Sequence, residues 1–120
     1  MSRANITSII IFVASLIAFV PFLGSVHLFD WDEINFAEAA REMLLTGNFT
    51  QVQIGFEPFW EKPPLFIWLQ ALSMSIFGIT EFAARLPNAI AGAISLTLLY
   101  NLGSKWRNHQ FGLLWAGLYA

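Results

Sequence analysis

The run FAARLPNAIAGAISLTLLYNL, from Phe82 to Leu102, is 21 residues long and carries a single charged side chain, Arg85, near its start. As a helix rising about 1.5 Å per residue, it reaches about 32 Å, which is enough to cross a hydrocarbon core of roughly 30 Å. From its position near one end, Arg85 can extend its guanidinium to the lipid headgroups. The run therefore predicts a membrane-spanning helix over about 82–103.

The composition of the whole chain agrees with a membrane protein. Of its 120 residues, 57% are apolar and 12% are charged, which is too apolar for an ordinary soluble domain. The formal net charge of −2 leaves no basic surplus, so we expect no nucleic-acid partner. The absence of cysteine from these 120 residues excludes disulfides and thiolate metal sites within them.

Two further apolar runs lie on either side of residues 82–102 in the sequence. Residues 6–23 form an 18-residue run that reaches about 27 Å and predicts a first span. A cleaved signal peptide is the alternative, since Arg3 supplies a basic start, but the length of the run and the lack of a small-x-small cleavage site favour a retained anchor. After a polar turn, residues 111–120 begin a third run. We therefore predict an all-α polytopic membrane protein with two complete transmembrane helices and a truncated third.

The segment between the first two spans is acidic. From Gly24 to Lys62 it holds seven acidic residues and two basic ones. Its apolar periodicity predicts an amphipathic helix over about 32–46, which lies along the membrane surface and stops at Gly47-Asn48. Asp30 and Glu33 resemble a D-x-x-E capping box at the start of that helix.

A second helix is predicted over about 64–78, because Pro63-Pro64 can open a helix and Gly78 can end it. Its apolar part spans about 20 Å, short of the hydrocarbon core, so we expect a second interfacial or re-entrant helix with Gln70 and Ser73 as a thin polar stripe. Residues 49–60, between the two helices, are expected to form an extended loop.

Two groups of charged residues in this segment are candidates for chemistry. Asp30, Asp32 and Glu33 crowd three carboxylates at an apolar boundary, which suits a general base or a cation ligand; alternatively they cap the helix and complement its dipole. Lys62, in Glu61-Lys62-Pro63-Pro64, suits a lipid phosphate or an anionic headgroup; alternatively it pairs with its neighbour Glu61.

Two other features of the segment remain. Arg41 and Glu42 are predicted to lie on a solvated helix face. The excess of basic residues that marks cytoplasmic loops does not decide the orientation of the spans, because the two sides have equal numbers. Arg3, Lys105 and Arg107 lie on one side, and Arg41, Lys62 and Arg85 lie on the other. If residues 65–77 also spanned, the tally would place the acidic segment in the cytoplasm.

Two strings in this order carry a resemblance to a known family. FDWDEINFAEAAREMLLTGNF, followed by FWEKPPLFIWLQALSMSIFGITEFAARLPNAIAG, resembles the N-terminal region of the GT-C glycosyltransferases. The similarity covers about Leu28 to Gly92 and is to the family 39 type, the branch with protein O-mannosyltransferases and lipid A aminoarabinose transferases. The xDE-x-x-(F/Y)-A-E-x-x-R-E-M pattern and the EKPP pattern together carry it.

The resemblance implies a polytopic enzyme of the plasma or inner membrane. Such an enzyme transfers a sugar from a polyprenyl-phosphate carrier to a lipid, glycan or protein acceptor on the non-cytoplasmic face, among membrane lipids. The first external loop of the family holds two juxtamembrane helices, which breaks the orientation tie and places the acidic segment outside.

The resemblance also implies roles for individual residues. Asp32 is the catalytic carboxylate and Glu33 its catalytic companion, positioning the acceptor or the helix. Lys62 contacts the carrier phosphate, and Asp30 is assigned with it to substrate binding. Glu61 is a candidate ligand for a divalent metal, the one cofactor considered.

Members of this family have many more spans than this chain. We therefore expect these 120 residues to be an N-terminal part that is inactive alone. The alternative is a small non-enzymatic membrane protein whose acidic loop binds a cation or a partner.

Overall fold

The computed structural model describes the backbone of residues 3–120 and the side chains from Ala4 onward, so the predicted basic start at Arg3 lies outside the described side chains. This part of the chain is mostly helical, as predicted. Its elements are α1 (Arg3–Phe19), α2 (Asp32–Thr46), β1 (Gln53–Ile54), β2 (Glu57–Pro58), α3 (Pro64–Phe77), α4 (Glu81–Trp106) and α5 (His109–Tyr119). The chain forms two compact units: Phe22–Pro87, and the described residues up to Pro21 together with Asn88–Ala120.

The unit Phe22–Pro87 is built around the packing of α2 on α3. Its buried core contains small and flexible apolar side chains from both helices, together with Val52 and the start of α4: Ala37, Ala39, Ala40, Met43, Ile67, Ala71, Met74, Ala83 and Ala84. Alanines on one face of a helix allow two backbones to approach closely. The position of α2 against α3 therefore follows from the alanine-rich face of α2.

Helix α2 has the predicted bounds and the predicted end. Gly47 takes the left-handed conformation, with a φ of 69°, and its N–H donates to the carbonyl of Met43 at 3.0 Å. This arrangement is common at helix ends because glycine adopts a positive φ without steric cost.

The segment expected to be an extended loop instead contains a short hairpin. Strands β1 and β2 are antiparallel, with Gln53 opposite Pro58 and Ile54 opposite Glu57. The turn between them consists of Gly55 and Phe56, which have φ values of 66° and 61°. Positive φ at both central residues is the pattern of the turns that best fit the twist of a hairpin. The all-α prediction therefore missed one small β element.

Helix α3 begins at Pro64 and ends before Gly78, close to the predicted bounds. Gln70 and Ser73, the predicted polar stripe, are both buried, so the stripe faces the interior of the unit. Gln70 donates from its side-chain amide to the carbonyl of Ala84 at 2.8 Å. The apolar side chains lie outside instead, among them Leu65, Leu69, Leu72 and Ile76. Polar groups inward and apolar groups outward is the arrangement expected in lipid.

The other unit contains α1, most of α4, and α5. Its buried core is Leu96, Tyr100 and Ala116, against which Ile11 and Phe19 pack. Helices α4 and α5 approach very closely where each has a glycine: a Cβ added to Gly103 would lie 2.9 Å from the Cα of Gly112. Side chains at these two positions would separate the helices.

One helix in the described residues, α4, is long and apolar enough to cross a membrane. It contains the predicted span and continues through Gly103 to Trp106. The predicted first span over 6–23 is longer than α1, which ends at Phe19, two residues before Pro21. At 17 residues, α1 reaches about 26 Å, and whether it crosses the membrane stays a prediction.

Candidate functional site

The structure brings together Asp32, the predicted catalytic carboxylate, and Lys62, the predicted contact of the carrier phosphate. The ammonium nitrogen of Lys62 lies 2.8 Å from Oδ1 of Asp32, although the two residues are separated by 29 others. Asp32 is the first residue of α2, and Lys62 directly precedes Pro63-Pro64 at the start of α3. The packing of α2 on α3 therefore assembles this pair from two distant segments.

An aromatic ring completes the surroundings of Lys62. The ring of Phe36, one turn after Asp32 on the same face of α2, has its centroid 5.4 Å from the Lys62 ammonium. Phe36 in turn meets the ring of Phe66 edge to face, with centroids 5.4 Å apart. The Lys62 side chain is 27% exposed and that of Asp32 is 70% exposed, so the carboxylate is accessible while the lysine stem is largely covered.

Glu33, the predicted catalytic companion of Asp32, is engaged by Arg85. The Arg85 Nε donates to Oε1 of Glu33 at 2.6 Å, and Nη2 donates to Oε2 at 3.0 Å. The remaining donors of the guanidinium reach the carbonyls of Leu23, Val26 and His27 at 2.7–2.9 Å. All five N–H donors are therefore used, and the expectation that Arg85 extends to lipid headgroups was wrong.

This ion pair also sets the protonation of Glu33. Hydrogen bonds from Arg85 hold the pKa of Glu33 below its ordinary value of 4.5, against the opposing effect of partial burial, and the N–H of Phe29 contributes in the same direction. Glu33 is thus an ionised group that ties the start of α2 to α4 and to the chain before α2. Its role as the catalytic companion of Asp32, positioning the acceptor or the helix, stays a prediction.

The predicted capping box was wrong. The residue at the N-cap of α2 is Trp31, not Asp30, and its side chain makes no capping hydrogen bond. Its φ of 71° lies in the region that residues with side chains rarely adopt, and the residue is 84% exposed. Glu33 accepts from the N–H of Phe29, so this glutamate, rather than Asp30, serves the backbone here. The chain is therefore strained directly before the candidate catalytic residue.

The other two predicted site residues are not brought into this contact. Asp30 and Glu61 are exposed. Within residues 3–120, no three acidic or histidine side chains converge in a way that holds a metal ion. A divalent cation needs several ligands, for example six or more oxygens for calcium, and Glu61 supplies a single carboxylate. The roles of Asp30 in substrate binding and of Glu61 in metal binding therefore stay predictions.

Glu42 is a residue that the sequence reasoning placed wrongly. It was expected on a solvated face, but it is fully buried, and its carboxylate accepts from the N–H groups of Gly55 at 2.6 Å and Phe56 at 2.9 Å. It therefore holds the turn of the hairpin on α2. Arg41 does lie on the outer side, where it pairs with Glu38 one turn earlier. No local pattern distinguishes Glu42 from Glu38, because the hairpin that buries it comes 13 residues later.

The site thus offers an accessible carboxylate, a group that can take a proton, in contact with an ammonium, a group that can stabilise a developing anion. Residues 61–120 match the family model described as dolichyl-phosphate-mannose-protein mannosyltransferase, and the chain belongs to that family of glycosyltransferases. The matched half includes Lys62, and Asp32 lies before it.

Individual relatives agree with this family. The chain is 32% identical over 121 residues to an undecaprenyl phosphate-alpha-4-amino-4-deoxy-L-arabinose arabinosyl transferase of Pseudomonas aeruginosa, with 100% of this chain and 22% of that protein covered. It is similar to the crystal structure of ArnT from Cupriavidus metallidurans in the apo state, with a TM-score of 0.77 and 26% identity over 90% of this chain and 20% of that one. The same protein bound to undecaprenyl phosphate gives 0.76 and 28% over 84% and 19%.

The extent of these matches defines what they establish. The chain spans about a fifth of the length of the relatives it matches. Membership of a glycosyltransferase family favours the enzyme over the small non-enzymatic membrane protein.

Proposed function

We propose that the protein containing this chain is an integral membrane transferase that moves a sugar from a polyprenyl-phosphate carrier to an acceptor hydroxyl. The observation that carries the proposal is the contact between Asp32 and Lys62 at 2.8 Å. The name of the Pseudomonas aeruginosa relative and the undecaprenyl phosphate in the Cupriavidus metallidurans structure support a long polyprenyl phosphate as the carrier. The acceptor is a lipid, a glycan or a protein.

In the proposed reaction, Asp32 acts on the acceptor. An alcohol is a weak nucleophile at neutral pH, so its proton must pass to a base as the new bond forms. The Asp32 carboxylate takes that proton, and the acceptor oxygen bonds to the anomeric carbon of the sugar. The 70% exposure of the Asp32 side chain supports this role, because an acceptor can reach it.

Lys62 acts on the leaving group. As the bond between the anomeric carbon and the phosphate oxygen breaks, its electron pair stays on that oxygen, and the carrier phosphate gains negative charge. An ammonium within hydrogen-bond distance of the phosphate stabilises this charge as it develops. Direct attack of this kind inverts the anomeric centre.

The assay for this proposal uses the full-length protein in liposomes, supplied with an undecaprenyl-phosphate-linked sugar, and measures the release of free undecaprenyl phosphate. We expect Asp32→Asn to lower the rate by a factor of about 10²–10⁴, the usual contribution of a general base. Glu57→Gln, an equal change of charge on the exposed hairpin, is the matched control and keeps the wild-type rate. Wild-type turnover in the Asp32→Asn variant would remove Asp32 from the mechanism. Asp30→Asn and Glu61→Gln, in the same assay, test substrate and metal binding.

We also propose that the segment holding α2 and α3 faces the non-cytoplasmic side of a multi-pass protein of the inner membrane. The support is the site itself, since the family resemblance places sugar transfer on that side. These 120 residues contain no cysteine, so a single cysteine at position 57 in a cysteine-free protein can be labelled selectively. We expect an impermeant thiol reagent to label it from outside intact spheroplasts; labelling only after lysis contradicts the orientation.

A further inference from the structure

The Asp32–Lys62 contact joins two groups whose proposed roles require different partners. In the structure, the Lys62 ammonium is already neutralised by the carboxylate that is to serve as the base. The carrier phosphate needs the same ammonium. If the proposed function holds, one lysine must therefore serve two anions.

The surroundings of Lys62 restrict where a phosphate can approach. Its side chain is 27% exposed, and the Phe36 ring lies 5.4 Å from the ammonium. Asp32 Oδ1 occupies a further direction at 2.8 Å. A phosphate that comes within hydrogen-bond distance of this ammonium therefore places its negative charge a few ångströms from the Asp32 carboxylate, and like charges at that distance repel.

Asp32 is in a position to release the lysine at low cost. It is the first residue of α2, where the free N–H groups and the helix dipole favour a negative charge. Its side chain is 70% exposed, so water solvates the carboxylate once the ammonium has turned away. Ion pairs with so much solvent access contribute little to stability, and exchanging one anion for another on Lys62 is correspondingly easy.

We propose that Lys62 pairs with Asp32 and with the carrier phosphate in turn, so that Asp32 opposes binding of the carrier phosphate and is released as a base when the phosphate takes the lysine. Asp32 thus has a second role besides proton transfer: it sets the affinity for the carrier phosphate. The base becomes free only when a donor is bound. Once Asp32 has passed the acceptor's proton on to water, its carboxylate re-forms the pair with Lys62, and the spent carrier phosphate leaves more readily.

The test is equilibrium binding of undecaprenyl phosphate to the full-length protein in detergent, without any sugar transfer. We expect Asp32→Asn to tighten binding about two- to fivefold, the range that corresponds to an exposed ion pair. Glu57→Gln makes the same change of net charge on the exposed hairpin and should leave the Kd unchanged. Undecaprenol has the same chain without a phosphate, and its binding should not respond to Asp32→Asn.

A double-mutant cycle separates exchange of the lysine from simple repulsion. If Lys62 is shared, the gain from Asp32→Asn is larger in the wild-type background than in a Lys62→Ala background, where repulsion alone remains. An Asp32→Asn variant that binds the phosphate no more tightly than wild type, or an equal gain in both backgrounds, overturns the inference. If Lys62→Ala alone leaves phosphate binding unchanged, the proposed role of Lys62 fails instead.

Discussion

The five hydrogen bonds of Arg85 predict a large loss of stability when its guanidinium is removed. The substitution Arg85→Gln leaves Glu33 without its partner and three carbonyls, of Leu23, Val26 and His27, without their donor. Breaking a fully buried ion pair by removing one partner costs about 3–5 kcal/mol. The Glu33 side chain is 28% exposed and that of Arg85 is 11% exposed, so water can solvate part of the unpaired Glu33 carboxylate. We therefore expect the free energy of unfolding to fall by about 2–3 kcal/mol.

The measurement is equilibrium unfolding of the full-length protein in mixed micelles, followed by tryptophan fluorescence. The chain offers a matched control in Arg41→Gln, since Arg41 pairs with Glu38 within one helix on the outer side of α2. Exposed pairs of this kind contribute little. We therefore expect Arg85→Gln to be much more destabilising than Arg41→Gln. Equal effects of the two substitutions would refute the argument that Arg85 ties three segments together.

The same ion pair gives the protein an acid sensitivity whose sign follows from Glu33. Because the folded pKa of Glu33 is lowered from 4.5, its contribution to stability is fully present above that value and is lost as the pH falls through the lower folded pKa. We expect the free energy of unfolding to fall in this acid range and the fall to be smaller in Arg85→Gln. An identical pH profile for both proteins would show that Glu33 does not titrate with this partner.

Two further substitutions test the packing inside each unit taken separately. Glu42→Ala removes a buried acceptor of two hydrogen bonds and should lower the free energy of unfolding by about 3 kcal/mol. Hydrogen exchange at the Gly55 and Phe56 amides should become faster. Unchanged protection of these amides would contradict the role of Glu42. Gly112→Ala places a Cβ 2.2 Å from the Ser104 hydroxyl oxygen and should lower the free energy of unfolding, measured in micelles, by about 1–3 kcal/mol. Gly117→Ala is the control, because its added Cβ would meet no neighbouring group within 4 Å, and it should be neutral or slightly stabilising.

The helices were predictable because their limits are local. Gly47 ends α2 through its own left-handed conformation, and Pro64 opens α3 with a φ that proline fixes in advance. The apolar length of α4 identified the membrane-spanning candidate in the same way. Asp32 and Lys62 were singled out by residue type and by the family resemblance, and the structure then placed them in contact.

The partners of the polar residues were not predictable. Arg85, Glu42 and Gln70 each bind groups on another element, so nothing within one helical turn of them in the sequence indicates whether they face lipid, water or protein. Arg85 was expected to reach headgroups and Glu42 to face solvent, and the polar stripe containing Gln70 was predicted without a partner. In each case a long-range hydrogen bond outweighs the local pattern, because an unpaired polar group in an apolar interior is costly.

The sequence by itself determined that the chain is an apolar helical protein with an acidic segment between apolar runs, since helix length, helix ends and charge density depend on neighbouring residues alone. Only the tertiary structure decided which acid meets which base. Asp32 pairs with Lys62, Glu33 with Arg85, and Glu42 with the hairpin turn. The packing of α2 on α3 brings Asp32 to Lys62, whereas the more buried Glu33 and Glu42 pair with the donors within their reach because an unpaired buried carboxylate is costly.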